Sequence, residues 1–348
     1  KELAFNFAPD TDKELYKEEV IVPAASTSWG PRVDLLLKPD VSAPGKNIKS
    51  TLNVIDGKST YGYMSGTSMA TPVVAASTVL IRPKLKEMLA KPVLKNLTGD
   101  DKIDLTTLTK IALQNTARPM MDPTGWKEKS LYYASPRQQG AGLINVANAL
   151  RNDVIASFKN LDSEGLVNSY GSISLKEIKG DKKYFTIKLI NTSDRPLTFK
   201  ASSSAITTDS LTNRLKLDET YKDEKSQDGK QIVPEIHPEV INGAKITFEY
   251  DTFTIKPNSS FDLNAVIDVG DAKDKNKFVE SFIRFESKEE VEAMCGKGNK
   301  TVFQPSLSMP LMGFAGNWNK EPILDKWAWE EGSKSKTMEG YDDDGKPK

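Results

Sequence analysis

The chain holds one histidine, His237, and one cysteine, Cys295, in 348 residues. A single cysteine excludes an internal disulfide. It lies in the short polar run Ala293-Met294-Cys295-Gly296-Lys297 with no second metal-ligand type beside it, and reads as an incidental thiol in a loop. An excess of either charge is also absent: Lys plus Arg and Asp plus Glu each total 48. No net field therefore draws the chain to nucleic acid or to an anionic membrane, and the implied partners are proteins. Nor is there a long apolar run. The uncharged stretch from Met69 to Ile81 stops at Arg82-Pro83, short of the roughly twenty residues that a membrane span needs.

What is present is sharper. Gly66-Thr67-Ser68-Met69-Ala70-Thr71-Pro72 sets a serine between a glycine turn and an uncharged helix. A serine hydroxyl is a weak nucleophile at neutral pH, so it needs a general base within reach and donors aimed at the oxyanion that forms. Gly66 permits a tight turn and close approach of a substrate chain. Ser68 then opens the helix, where first-turn N–H groups lack intrahelical partners and the dipole end is positive. Its own amide is the obvious oxyanion donor. The helix continues through Val73 to Ile81 with no charge on any face and is expected to be buried. Pro83 is expected to break it, with helix resuming over 84–89.

Two further runs accompany this one: Lys38-Pro39-Asp40-Val41-Ser42-Ala43-Pro44-Gly45 before it and Gln139-Gly140-Ala141-Gly142-Leu143-Ile144-Asn145-Val146 after it. Together they resemble the C-terminal half of the subtilase catalytic domain, over residues 26 to 151. The resemblance implies an α/β domain in which Ser68 is the nucleophile and the backbone oxyanion donor. Gly66, Thr67 and Met69 are expected beside the substrate, Met69 on the leaving-group side, where its thioether would make activity sensitive to oxidants.

Subtilases carry their triad in the order Asp, His, Ser. Residues 1 to 67 contain no histidine, and His237 lies far downstream in Pro234-Glu235-Ile236-His237-Pro238, which reads as a loop. The family's upstream oxyanion Asn has no convincing match either. The expectation is a nucleophile-bearing fragment, inactive alone, whose Asp, His and Asn come from an N-terminal fragment of the same protease. Residues 1–25 read as the exit strand and linker of an inserted accessory domain.

Within 26–151, residues 50–55 and 59–63 read as a hairpin about Asp56-Gly57, followed by helices over Leu105–Ala117 and Asn145–Leu150. After Arg151 the period becomes two, at Tyr170–Leu175, Tyr184–Leu189, Thr247–Ile255 and Phe261–Ile267, with Lys256–Ser260 as a turn. Short alternating strands at that spacing predict a β-sandwich over 152–290. The charged segment Asp218–Lys230 reads as an exposed loop. This order of domains resembles the streptococcal cell-envelope proteinases, and most of all the member that cleaves interleukin-8 and related CXC chemokines. The resemblance implies a secreted, wall-associated protease of a Gram-positive bacterium, a fibronectin type III-like sandwich, and a second, truncated one over 291–348 beginning near Met309–Phe314. A nutritional, casein-cleaving proteinase is the alternative within that class. A host-protein binding or adhesion module carried by residues 152–348 is the alternative of another class. No cofactor is needed for the chemistry. Asp342-Asp343-Asp344-Gly345 could ligate a structural calcium, though it lacks the spacing of a recognised loop and reads as a solvated acidic tail. Trp327-Ala328-Trp329 reads as core.

Overall fold

The computed structural model describes residues 21–55, 57–122, 132–161, 167–217, 230–297 and 302–318. The expectations for residues 1–20, for most of the charged segment 218–230, for Trp327–Trp329 and for Asp342–Gly345 lie outside them.

The first unit begins with an antiparallel hairpin, β1 (Ile48–Ile55) and β2 (Lys58–Met64), with Ile48 opposite Met64. Helix α1 follows (Thr67–Ala90), then α2 (Pro92–Lys95), α3 (Leu105–Thr116), α4 (Pro136–Gln139) and α5 (Val146–Arg151). Two expectations about α1 fail. The helix runs through Pro83 without a break, because Ile81, Leu85 and Met88 form one continuous buried stripe against Leu108 and Ile111 of α3. The hydrogen bond lost at a proline is one among many, and tertiary burial outweighs it. The helix is also not buried on every side, since Val79 is 67% exposed and Leu80 62%.

Helix α3 starts at Asp104, whose carboxylate accepts the Thr107 N–H at 2.7 Å. That bond holds Asp104 below its ordinary carboxylate value. A depressed folded-state pKa means the cap's stabilisation is present above the unfolded value and is lost as pH falls through the lowered one. Asp104→Ala should therefore cost about 1 kcal/mol at neutral pH. The difference from wild type should shrink toward pH 3, as urea unfolding at the two pH values would show.

The second unit is a sandwich of two sheets. One has the order β10 (Lys245–Phe248), β12 (Ser259–Asp268), β6 (Lys182–Asn191), β3 (Val154–Leu161), β4 (Val167–Tyr170). The other has the order β11 (Thr252–Ile255), β7 (Leu197–Ser203), β13 (Lys277–Ser287), β14 (Leu307–Ala315), β5 (Ile173–Ile178). A hairpin, β8 (Thr207–Leu217) with β9 (Lys230–Val240), is rooted on β13 where Thr207 pairs with Glu280. A short helix, α6 (Lys288–Met294), follows β13.

Several local readings change here. The expected strand Thr247–Ile255 is two strands in different sheets, β10 and β11, because the chain crosses the sandwich at 249–251. Tyr170–Leu175 is likewise split between β4 and β5. His237 sits in strand β9 opposite Ser210, not in a loop, and Cys295 is the exposed C-cap of α6. Met309–Phe314 does not open a new domain. It lies in β14, buried along its whole length between β13 and β5 of the same sheet.

The two units share a core. Along β3, Val154 and Ala156 point into the sandwich while Ile155 joins the cluster of α1 and α3. Ile190 of β6 does the same. The helices thus pack on the outer face of the first sheet, and on the far side Leu35 and Leu37 pack on Met312 and Phe314 of β14.

Candidate active site

The three runs singled out in the sequence converge. Pro44-Gly45 lies against the turn before α1: the Gly66 N–H donates to the Gly45 carbonyl at 2.8 Å, and a Cβ on Gly45 would come within 2.8 Å of the Gly66 carbonyl oxygen. The Ala141 N–H donates to the Asp40 carbonyl at 3.1 Å, and Ser42 exchanges backbone bonds with Gly142 and Ile144 at 2.8 and 2.9 Å. Gly140, at φ +65°, lies so close to the 39–40 backbone that a side chain would strike the Pro39 carbonyl oxygen at 2.5 Å. Gln139, fully buried, closes the assembly. Its amide donates to the carbonyls of Met120 and Ala134 and accepts from the Met120 N–H. In the sequence Gln139 had stood out only as a member of a motif, with nothing local to mark its clamping role.

Within this frame Gly66 caps α1 at φ +151°, ψ +168°, a backbone conformation in which a side chain is strained. The helix begins one residue later. Ser68 is its second residue and is exposed, Thr67 is exposed, and Met69 is half-buried. The Met69 N–H already turns back to the Gly66 carbonyl at 3.0 Å, whereas the Ser68 amide stands in the first turn, where no intrahelical acceptor exists. An exposed hydroxyl beside an amide at a helix start suits a nucleophile with its own oxyanion donor. His237 belongs to the hairpin of the sandwich, so the chain's one imidazole is placed on a different unit from Ser68.

The face of α1 that continues from Ser68 carries Pro72, Ala75, Ala76, Val79 and Leu80, all exposed. The hairpin also exposes Leu52, Val54, Tyr61, Tyr63 and Met64. Among the described residues no group of three or more His, Cys, Asp or Glu is placed to hold a metal ion, and no helix is long and apolar enough to cross a membrane.

Charge is concentrated instead at the seam between the units. Arg137 of α4, 6% exposed, donates through Nε to Glu280 of β13 at 2.7 Å and also pairs with Asp209 of β8. Its guanidinium lies 3.7 Å from the centre of the Phe278 ring. Ser135 donates to the same Glu280 oxygen at 2.8 Å. Burial pushes Glu280 above its ordinary value, against the opposing pull of Arg137 and with Asp209 adding to the rise. Burial also works against the charge on Arg137, but the two carboxylates outweigh it and raise the guanidinium further. These groups belong to the seam between the two units.

Residues 20–147 match the subtilase family, and residues 173–312 match an Fn3-like domain. Among curated proteins, the PI-type proteinase of Lactococcus lactis subsp. cremoris is 31% identical over 301 residues, covering 86% of this chain and 14% of that protein. The PII-type proteinase of Lacticaseibacillus paracasei matches at the same identity and coverage. The C5a peptidase of Streptococcus pyogenes is 26% identical over 322 residues, covering 88% of this chain and 22% of that protein. The chain thus spans about a seventh of the length of the first of these relatives.

Proposed function

The chain carries part of a subtilase-family catalytic domain followed by an Fn3-like domain, and from that premise we propose that it is the nucleophile-bearing part of a cell-envelope serine endopeptidase. Ser68 Oγ attacks a peptide carbonyl while a base takes its proton. The oxyanion is held by the Ser68 N–H, the amine leaves with the proton returned by the base, and water hydrolyses the acyl-enzyme. Gly66 and Thr67 border the substrate chain, and Met69, half-buried next to the nucleophile, walls the leaving-group side. No cofactor takes part in these steps. A structural calcium bound elsewhere in the intact protein is compatible with them.

The observation that carries this reading is the exposed apolar face of the helix that presents Ser68, with Val79 67% and Leu80 62% exposed. An uncharged face that continues from a nucleophile lacking its base fits a covering partner that also supplies that base. The partner is the N-terminal portion of the same protease, bringing Asp, His and the oxyanion Asn. The assembly acts outside the cell, associated with the wall of a Gram-positive bacterium. One relative is named for a particular substrate, C5a. It supports a single-protein specificity, for which we infer a chemokine of interleukin-8 type. The relatives named simply as proteinases, at 31% identity, favour the second reading, a nutritional enzyme acting on casein-type proteins.

The test is to mix the chain with that upstream portion and follow interleukin-8 and casein by mass spectrometry. Hydrolysis of one substrate and not the other decides between the readings. Burying Val79 or Leu80 stabilises by about 1.5–3 kcal/mol each, so Leu80→Asp should weaken complementation at least about tenfold. Absence of cleavage of either substrate overturns the hydrolase reading. Host-protein binding by residues 152–348 alone, unchanged by Ser68→Ala, would favour an adhesion module.

A further inference from the structure

The helix that presents Ser68 is fastened to the sandwich at its other end. Lys84 of α1 pairs with Asp153, in the link between α5 and β3, at 2.5 Å. The other Asp153 oxygen lies 3.5 Å from Arg195, which makes two bonds to Glu289 of α6 at 2.8 and 3.1 Å. Glu289 in turn accepts the Gln304 N–H at 2.7 Å, and the fully buried Gln304 side chain accepts the Asp153 N–H and donates to Asn152. The chain of charges therefore ends in a rigid, satisfied network rather than in solvent.

Its position along α1 matters. Lys84 immediately follows Pro83, where the helix lacks one backbone hydrogen bond and can bend. Alongside lies a crevice of about 400 Å³ bordered by Lys84, Glu87, Lys91, Asp153 and Arg195. Close packing does not fill that gap, so the charges span it. From Pro83 to Ser68 the helix, which also carries Pro72, spans about 22 Å at 1.5 Å per residue. A change of bend of about 3° displaces the hydroxyl by about 1 Å, enough to cost on the order of 100-fold when a reacting group is misplaced.

We propose that the sandwich sets the position of Ser68 through Lys84, Asp153, Arg195 and Glu289, which makes these four positioning residues of the protease site and the Fn3-like domain a working part of the catalytic unit. The inference rests on the hydrolase reading for its kinetic readout but not for its structural one.

The experiment uses the complemented protease with Asp153→Asn, Arg195→Met, Arg195→Lys and a control, Asp101→Asn. Asp101 pairs with Lys159 of β3 at 2.6 Å, also across the two units but away from α1. Partly exposed ion pairs contribute little to stability, so every variant should unfold within about 3 °C of wild type. Asp153→Asn and Arg195→Met should lower kcat by about 10- to 100-fold with KM within about twofold, Arg195→Lys should recover much of the loss, and Asp101→Asn should match wild type. Hydrogen exchange at 73–82 should quicken in the first two variants only, a result that does not depend on cleavage. Wild-type kcat and wild-type exchange in Asp153→Asn and Arg195→Met would overturn the proposal, as would equal losses in Asp101→Asn. If the wild-type mixture cleaves nothing, the hydrolase reading fails, and the exchange comparison still decides whether the clamp governs α1.

Discussion

Ser68→Ala should lower kcat of the complemented protease by about a million-fold, the scale for losing the nucleophile of a serine triad. KM should stay within a few-fold, because the hydroxyl contributes to bond making rather than to holding the substrate. The substitution should leave the fold untouched. Ser68 is exposed, and the turn before it is set by Gly66 and by the bond from the Gly66 N–H to the Gly45 carbonyl. Thermal unfolding of the variant should therefore match wild type while covalent labelling by a fluorophosphonate disappears. A variant that keeps more than about 1% of the rate would place the nucleophile elsewhere. Unlabelled wild-type chain is expected until the upstream portion is added, since the chain has no histidine before Ser68 to activate it.

What the sequence marked as motifs, the runs 38–45, 66–72 and 139–146, are segments that meet in the fold: Gly66 bonds to Gly45, Ala141 to Asp40 and Ser42 to Gly142. What failed was decided by contacts distant in sequence. Pro83 reads as a breaker until Ile81, Leu85 and Met88 are seen to share a stripe against α3. His237 between two prolines reads as a loop, but among the described residues β9 pairs only with β8, and an edge strand tolerates residues without an N–H. Met309–Phe314 reads as the start of another domain because its partners, β13 and the parallel β5, are set by topology and not by local pattern. The seam charges were invisible for the same reason: Arg137 and Glu280 are 143 positions apart.

That seam carries the largest expected effect on stability. Arg137→Met keeps an apolar stem of similar length but removes the guanidinium from the Phe278 ring and from Glu280 and Asp209, leaving Glu280, 1% exposed, without its cation. Breaking a buried pair from one side typically costs about 3–5 kcal/mol. The pH dependence follows from burial, which already holds Glu280 above its ordinary value and does so more strongly once Arg137 is gone. A carboxyl with a raised folded-state pKa favours the fold below its unfolded value, and that contribution is lost as pH rises through the raised one. The cost of Arg137→Met should thus be greatest near pH 8 and shrink toward pH 4, where Glu280 takes up a proton. Arg137→Met/Glu280→Gln should regain most of the stability at pH 8, since the neutral amide carries no unpaired charge and can still accept from Ser135. Denaturant unfolding across pH 4–8 measures all three chains. A single variant whose cost is flat with pH, or a double variant no better than the single, would mean that the seam is held by packing of Phe278 and Phe282 rather than by its charges.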